Sequence, residues 1–308
     1  LAYAPLNDGK GTDDFSAGDN ISAAKAYLAG INKDTSYTAA GVTTSVNSIK
    51  SNGVPADTST TNIALTTSTD FKTLTSSNDT INASGATLGS DDVLTDLGGT
   101  DTLKISVSPA AAASTILNST GIENIQVTNT TATGGASQTY TFTSATGVTS
   151  VSSYLSSTAG DVAFNDLQAN AKVILDGSKG DVTADFANPV VVGDSDVANV
   201  EIKNDASTAI LNIGDGDDEF ETINIAVGTG KNSITEIEDG ASADLGETSK
   251  IVITGSGQLT LGETVLKDAS EIDGSAATGK LLITTDTTVD TVKGGSGDDA
   301  FTLTIGDF

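Results

Sequence analysis

This chain of 308 residues contains no Cys, Met, Trp or His. Without Cys there is no disulfide framework, no thiolate nucleophile and no thiolate-based zinc site. Without His the usual general base and the commonest transition-metal ligand are gone. Aromatics make up only 4 % of the chain, which disfavours a single large globular core. No apolar run approaches the length of a membrane span. Basic side chains are scarce, 14 against 41 acidic ones, for a net charge of −27. At that charge nucleic acid and anionic membrane surfaces are repelled. The chain starts at Leu1 with no basic, then apolar, leader pattern, so a processed chain or a fragment is expected.

What is abundant is carboxylate, the hard oxygen ligand that calcium prefers, and Ca2+ is the expected cofactor. The apolar residues, 37 % of the chain, are mostly Ala, Val, Ile and Leu, and they fall in short runs between Gly, Asn, Asp and Ser. Such runs include TLKISVS (102–108), IENIQVT (122–128), QTYTFTS (138–144), KVILDG (172–177) and PVVVGD (189–194). The series continues through NVEIKND (199–205), ILNIGDG (210–216), TINIAVG (222–228), KIVITGSG (250–257), QLTLGE (258–263), KLLITTD (280–286) and FTLTIGD (301–307). Alternation in TINIAV, QLTLGE and FTLTIG predicts strands with one buried face. The runs lie too close together for crossover helices, so the expected class is all-β. Stacked β-solenoid or β-roll-like coils with calcium turns are preferred, and tandem β-sandwiches are the alternative. ISAAKAYLAG (21–30), after Asp19–Asn20, predicts one short helix near the N-terminus, and AAAASTILN (110–118) is a second helical candidate. The expected organisation is an N-terminal segment over 1–60, a β domain over 61–200 and a second β-solenoid domain over 201–308.

The stretch GGSGDDAFT (294–302) matches every fixed position of the calcium β-roll nonapeptide G-G-x-G-x-D-x-U-x, with Asp299 sixth and Phe301 as the large apolar U. Gly295 and Gly297 allow the backbone carbonyls to turn toward a cation, and Asp299 adds a carboxylate. DGKGTDDFS (8–16) and IGDGDDEFE (213–221) repeat the pattern with one substitution each, through Gly11, Asp13 and Phe15 and through Gly216, Asp218 and Phe220. A ligand-sharing turn is expected nine residues away. That spacing selects Asp290 with Asp299, Asp92 with Asp101, and Asp70 with Asp79, although Lys72 stands where the first turn of the last pair needs an apolar residue. Asx turns without metal are the alternative for all three.

The segment LTTSTDFKTLTSSNDTINA (65–83), followed by LGSDDVLTDLGGTDTLKI (88–105), resembles the start of the repeat region in RTX-type bacterial surface-layer proteins. Asp70, Asn78, Asp79, Asp92, Gly98, Gly99, Asp101 and Leu103 fall on matching positions. STGIENIQVTN (119–129) looks like the strand that follows there, and FETINIAV (220–227) like a second copy. The resemblance implies export by type I secretion without a cleaved N-terminal signal, calcium binding outside the cell, and lateral assembly into a porous sheet.

The leading expectation is therefore a non-enzymatic, extracellular structural protein of the cell surface. It would assemble with itself, with cell-surface polysaccharide as a second candidate partner. A repeat segment of a secreted RTX adhesin is the alternative. A β-helix enzyme acting on polysaccharide would need paired carboxylates. The available doublets are Asp13–Asp14, Asp91–Asp92, Asp217–Asp218 and Asp298–Asp299, and neighbours in a strand point to opposite faces.

Overall fold

In the computed structural model, the described residues are 60–108, 113–132, 137–188, 190–191, 195–214, 220–238, 250–262, 269–285 and 289–303. Their secondary structure is entirely strand. In chain order these are β1 (Asn62–Ala64), β2 (Phe71–Thr73), β3 (Thr80–Ser84), β4 (Val93–Thr95), β5 (Thr102–Val107), β6 (Ala113–Thr120), β7 (Asn124–Asn129) and β8 (Gln138–Thr146). Next come β9 (Ser150–Tyr154), β10 (Val162–Leu167), β11 (Lys172–Asp176), β12 (Val182–Phe186), β13 (Val197–Lys203), β14 (Ser207–Gly214) and β15 (Thr222–Val227). The last are β16 (Lys231–Glu238), β17 (Lys250–Gly255), β18 (Gln258–Leu261), β19 (Glu271–Ala277), β20 (Leu281–Thr285), β21 (Thr291–Lys293) and β22 (Ala300–Leu303).

Odd-numbered strands form one 11-stranded sheet and even-numbered strands another, each in sequence order. Every pairing is parallel, as Thr80↔Thr102↔Asn124 illustrates. The chain therefore winds as a parallel β-solenoid in which each coil adds one strand to each sheet. Tandem sandwiches would need antiparallel pairing, and they are excluded over the described residues. The expected boundary at 200/201 falls inside β13, and both sheets continue across it.

The core is a thin column between the sheets. Alternate residues of each strand face inward, so Ile81, Leu103, Ile125 and Val151 stack in register and are buried. Each fully buried aliphatic side chain contributes about 1.5–3 kcal/mol. Four phenylalanines thicken the column: Phe142 lies 6.2 Å from Phe164, and Phe186 meets Phe220 edge-on at 5.2 Å. Phe220, the apolar U residue of the degenerate copy at 213–221, is buried as that motif requires.

Three expectations need correction or fall outside the described residues. AAAASTILN was a helical candidate, but Ala113–Thr120 is strand β6, paired with β4 and β8. There the inward column, carried by Leu117, outweighs local alanine propensity. PVVVGD was read as a strand, yet Val190 lies in a turn whose N–H reaches Ala187 O, while Val191 plugs the core from that turn. The helix expected at 21–30 lies outside the described residues. β9 was not legible because Ser153 takes an inward position. A buried hydroxyl chain satisfies it, with Ser153 Oγ 2.7 Å from Ser178 Oγ and 3.1 Å from Ser156 Oγ.

Candidate metal centre

Parallel coils leave the amide at the first corner of each strand facing along the stack, and acidic side chains satisfy several of them. Asp70, Asp79, Asp92 and Asp101 each stand one residue before a strand, at β2, β3, β4 and β5. The carboxylates of Asp79, Asp92 and Asp101 each accept an N–H of the preceding coil. Thr61 N donates to Asp79 Oδ1 at 2.5 Å, Asp79 N to Asp101 Oδ1 at 2.6 Å, and Asp101 N to Glu123 Oε2 at 2.7 Å. On the other sheet Asp70 N donates to Asp92 Oδ1 at 2.7 Å, and at the far end Leu281 N donates to Asp299 Oδ1 at 2.9 Å.

This geometry rearranges the expected pairs. Nine residues carry the chain from one sheet to the other, so Asp70 and Asp79 open strands of different sheets, as do Asp92 with Asp101 and Asp290 with Asp299. The neighbour on the adjacent coil is 18 or 22 residues away: Asp79 stands over Thr61, Asp92 over Asp70 and Asp101 over Asp79. Asp290 is exposed, and its N–H goes to Ser270 O at 3.0 Å. Gly11, Asp13, Gly216 and Asp218 lie outside the described residues.

Most of these carboxylates are already filled by donors. Asp70 Oδ2 accepts Thr66 N at 2.6 Å and its Oδ1 faces Lys72 Nζ at 2.9 Å. Asp92 Oδ2 accepts Gly89 N, and Asp299 Oδ2 accepts Gly295 N at 2.9 Å. Asp79 Oδ2 takes both Thr75 N at 2.7 Å and Thr75 Oγ1 at 2.8 Å. Gly295 and Gly297 serve close coil stacking: a Cβ on either would lie 2.0 Å from Ala277 O or 2.3 Å from Gly279 O.

Asp101 differs. It is 0 % exposed, and its Oδ2 has no hydrogen-bond partner. Beside it Asp96 uses Oδ2 to accept Gly98 N at 2.5 Å in a local Asx turn, leaving its buried Oδ1 without a partner. Carboxylate oxygens of Asp79, Asp96 and Asp101 all lie within 4.8 Å of one another. Burial first, and then the Asp96 and Asp79 carboxylates, push Asp101 up to about 7. Asp79 goes the other way. Burial opposes its ionisation, but N–H donors from Thr61 and Thr75 outweigh that and hold it below the usual carboxylate range.

The arrangement suits a hard divalent cation. Two oxygens on opposite sides of a calcium ion are separated by about 4.6–5.2 Å at ordinary Ca–O distances. An all-oxygen set of three carboxylates supplies the charge and leaves out the nitrogen and sulfur donors that select zinc or copper. Two buried oxygens with no donor are the signature expected where a cation completes the set. Asp96 was not among the sequence candidates. Its signal was a Thr-Asp just before the Gly98–Gly99 turn, five residues ahead of Asp101. Gly99 keeps the coils close here: its φ is +123°, and a Cβ would lie 2.5 Å from Ser77 O.

No protein family, curated protein sequence or solved structure matches this chain.

Proposed function

We propose that this chain is a non-enzymatic structural protein of the bacterial cell surface, secreted as an acidic chain and rigidified by Ca2+ outside the cell, where it assembles with itself into a lattice. The observation that supports the calcium part is the buried Asp101, whose Oδ2 has no partner and whose carboxylate clusters with those of Asp96 and Asp79. When bound, calcium supplies charge neutralisation. The chain's own part is to hold three carboxylates at one corner of adjoining coils, with Asp79 fixed by Thr61 and Thr75 and Asp96 fixed by Gly98. Metal affinity of this kind is coupled to folding. At low free calcium the acidic corners repel one another and the chain stays exportable, and at higher calcium the same corners become staples.

A regular two-faced solenoid with solvent-facing sheets suits a structural role, because each coil presents a similar outer row to neighbours. The doublet Asp91–Asp92 supports the non-catalytic reading: Asp91 is exposed, whereas Asp92 is buried and caps Asp70 N. The test is a calcium titration of the full chain by calorimetry, beside electron microscopy of the purified protein with and without chelator. Calcium-dependent sheets and a binding heat abolished by Asp101→Asn are expected. An unchanged melting curve in chelator removes the calcium part, and absence of ordered assemblies at any calcium concentration removes the lattice part.

A further inference from the structure

Charge is spread unevenly over the outer faces of the two sheets. On the odd-numbered sheet Lys104 stands exposed on β5. Further along that face Lys172 and Lys203 pair with Glu201, and Lys250 and Lys293 pair with Glu271. The even-numbered sheet carries Asp185 on β12 and Lys231, Glu236 and Glu238 on β16. Its earlier strands are different. β4, β6 and β8 contain no charged residue, and β2 contains only Lys72, whose ammonium is held at 2.9 Å by Asp70.

This uncharged face is ordered by the register. Thr73, Thr95, Thr120 and Thr146 stand side by side in one row across β2, β4, β6 and β8, at outward positions. Beside the row, Phe71 pairs with Val93. The pairing of Leu94 with Ser119 sets Val93 opposite Asn118, two residues from Ile116 on the same side of β6. Phe71, Val93 and Ile116 thus make an apolar diagonal over three strands. Phe71 is 75 % and Ile116 45 % exposed, and no other large apolar side chain among the described residues is as exposed as Phe71.

Charge also selects what can cover this face. A partner of opposite sign would be drawn to the acidic corners and away from it. Two copies of a chain of net charge −27 repel each other, and least where the facing surfaces carry no charge of their own. A surface with neither sign of charge is also compatible with itself, as an isologous two-fold contact requires. The β-branched Thr row loses little rotamer freedom when it is covered.

We propose that the outer face of β2, β4, β6 and β8 packs on the same face of a second copy about a two-fold axis, with Phe71, Val93 and Ile116 in the contact. This rests on the self-assembly reading above and names the face that carries it. The facing sheets lie about 10 Å apart, the ordinary separation of stacked sheets. At about 4.8 Å between strands and about 3.3 Å per residue, the four strands cover on the order of 400 Å². A permanent dimer buries roughly 800 Å² a side, so this contact is weak in solution and gains from repetition in a lattice.

The test compares full-length wild type with Phe71→Asp, Ile116→Asp and a control, Gln126→Asp, which puts the same charge on the outer face of β7 in the other sheet. All are followed in calcium by sedimentation velocity up to millimolar protein, with melting curves and electron microscopy beside them. Wild type and the control are expected to dimerise alike, and more tightly at higher salt. Phe71→Asp and Ile116→Asp should each raise the dimer dissociation constant at least tenfold with melting unchanged, because both side chains are already exposed. Phe71→Ser, which adds no charge, should also weaken the dimer and serves if an added acid disturbs the fold. Wild type that stays monomeric assigns the face to another occupant and overturns the proposal. Even-face variants that dimerise as wild type does, or an equal loss in Gln126→Asp, overturn it too. Sheets formed unchanged by the Phe71→Asp, Ile116→Asp double variant leave the lattice reading standing and overturn this contact. Wild-type dimers that never extend into sheets support the contact and remove the lattice.

Discussion

Asp101 stands directly over Asp79 on successive coils, its Oδ1 accepting the Asp79 N–H at 2.6 Å while its Oδ2 is buried without a partner, in a side chain that has a carboxylate oxygen within 4.8 Å of those of Asp79 and Asp96. One oxygen is a structural cap and the other is a free acceptor among like charges. The two oxygens of one side chain can therefore be tested separately.

Asp101→Asn keeps an oxygen for the Asp79 amide and turns the unpartnered acceptor into a donor toward Asp96. Without calcium the variant is expected to be more stable than wild type by about 1–3 kcal/mol, because an uncompensated buried carboxylate is removed. With calcium the stabilisation seen in wild type should vanish. Chemical denaturation of both proteins in chelator and in calcium gives the four values needed.

The acid dependence follows from the directions of the shifts. Asp101 is raised from 3.8 to about 7, so the metal-free native state holds a proton that the unfolded chain releases. Its contribution is fully present below 3.8 and is lost as pH rises through about 7. Asp79 is lowered, as is Asp70 by the Thr66 amide and then Lys72, so their contributions stand above the ordinary value and fade on acidification. Metal-free protein should therefore melt lower near pH 8 than near pH 5, and the gain on adding calcium should be larger near pH 8. Melting curves at the two pH values, with and without calcium, decide this.

Gly99→Ala places a methyl 2.5 Å from Ser77 O on a backbone with φ of +123°. Strain of this kind costs about 1–3 kcal/mol. It also pushes apart the coils that bring Asp79 beneath Asp101, so calcium affinity should fall together with stability. A variant that loses stability yet binds calcium as wild type does would separate the turn from the metal centre.

Phe220→Ala empties the edge-on contact with Phe186, whose ring centroid lies 5.2 Å away. The expected loss is about 3–5 kcal/mol, the usual result of truncating a buried aromatic. Because this cavity lies far along the chain from Asp101, its effect should add to that of Asp101→Asn in the double variant.

Much of the fold was legible in the residues. Alternation in TINIAV and QLTLGE marks β15 and β18, and the run TLKISVS marks β5. Among the strands not named from the sequence, β9 has a polar inward position at Ser153, whereas β10 and β12 alternate with apolar inward residues such as Phe164 and Phe186, and β6 matched a competing helical pattern beside its alanines. At the site, Asp79 and Asp101 were legible as candidate ligands through their nine-residue spacing from Asp70 and Asp92, but Asp96 was not. It joins the cluster through the turn at Gly98 rather than through the repeat.

The sequence alone determined the all-β class, the thin aliphatic core, the acidic corners and the absence of sulfur and imidazole chemistry. These depend on composition and on alternation along a few neighbouring residues. Only the tertiary structure decided which acids meet. Coil length varies from 18 to 29 residues, so the partner of a given Asp is fixed by parallel register between distant strands and not by a constant spacing. For the same reason Asp290 and Asp299 stand in different sheets, whereas Asp79 and Asp101, 22 residues apart, share one corner.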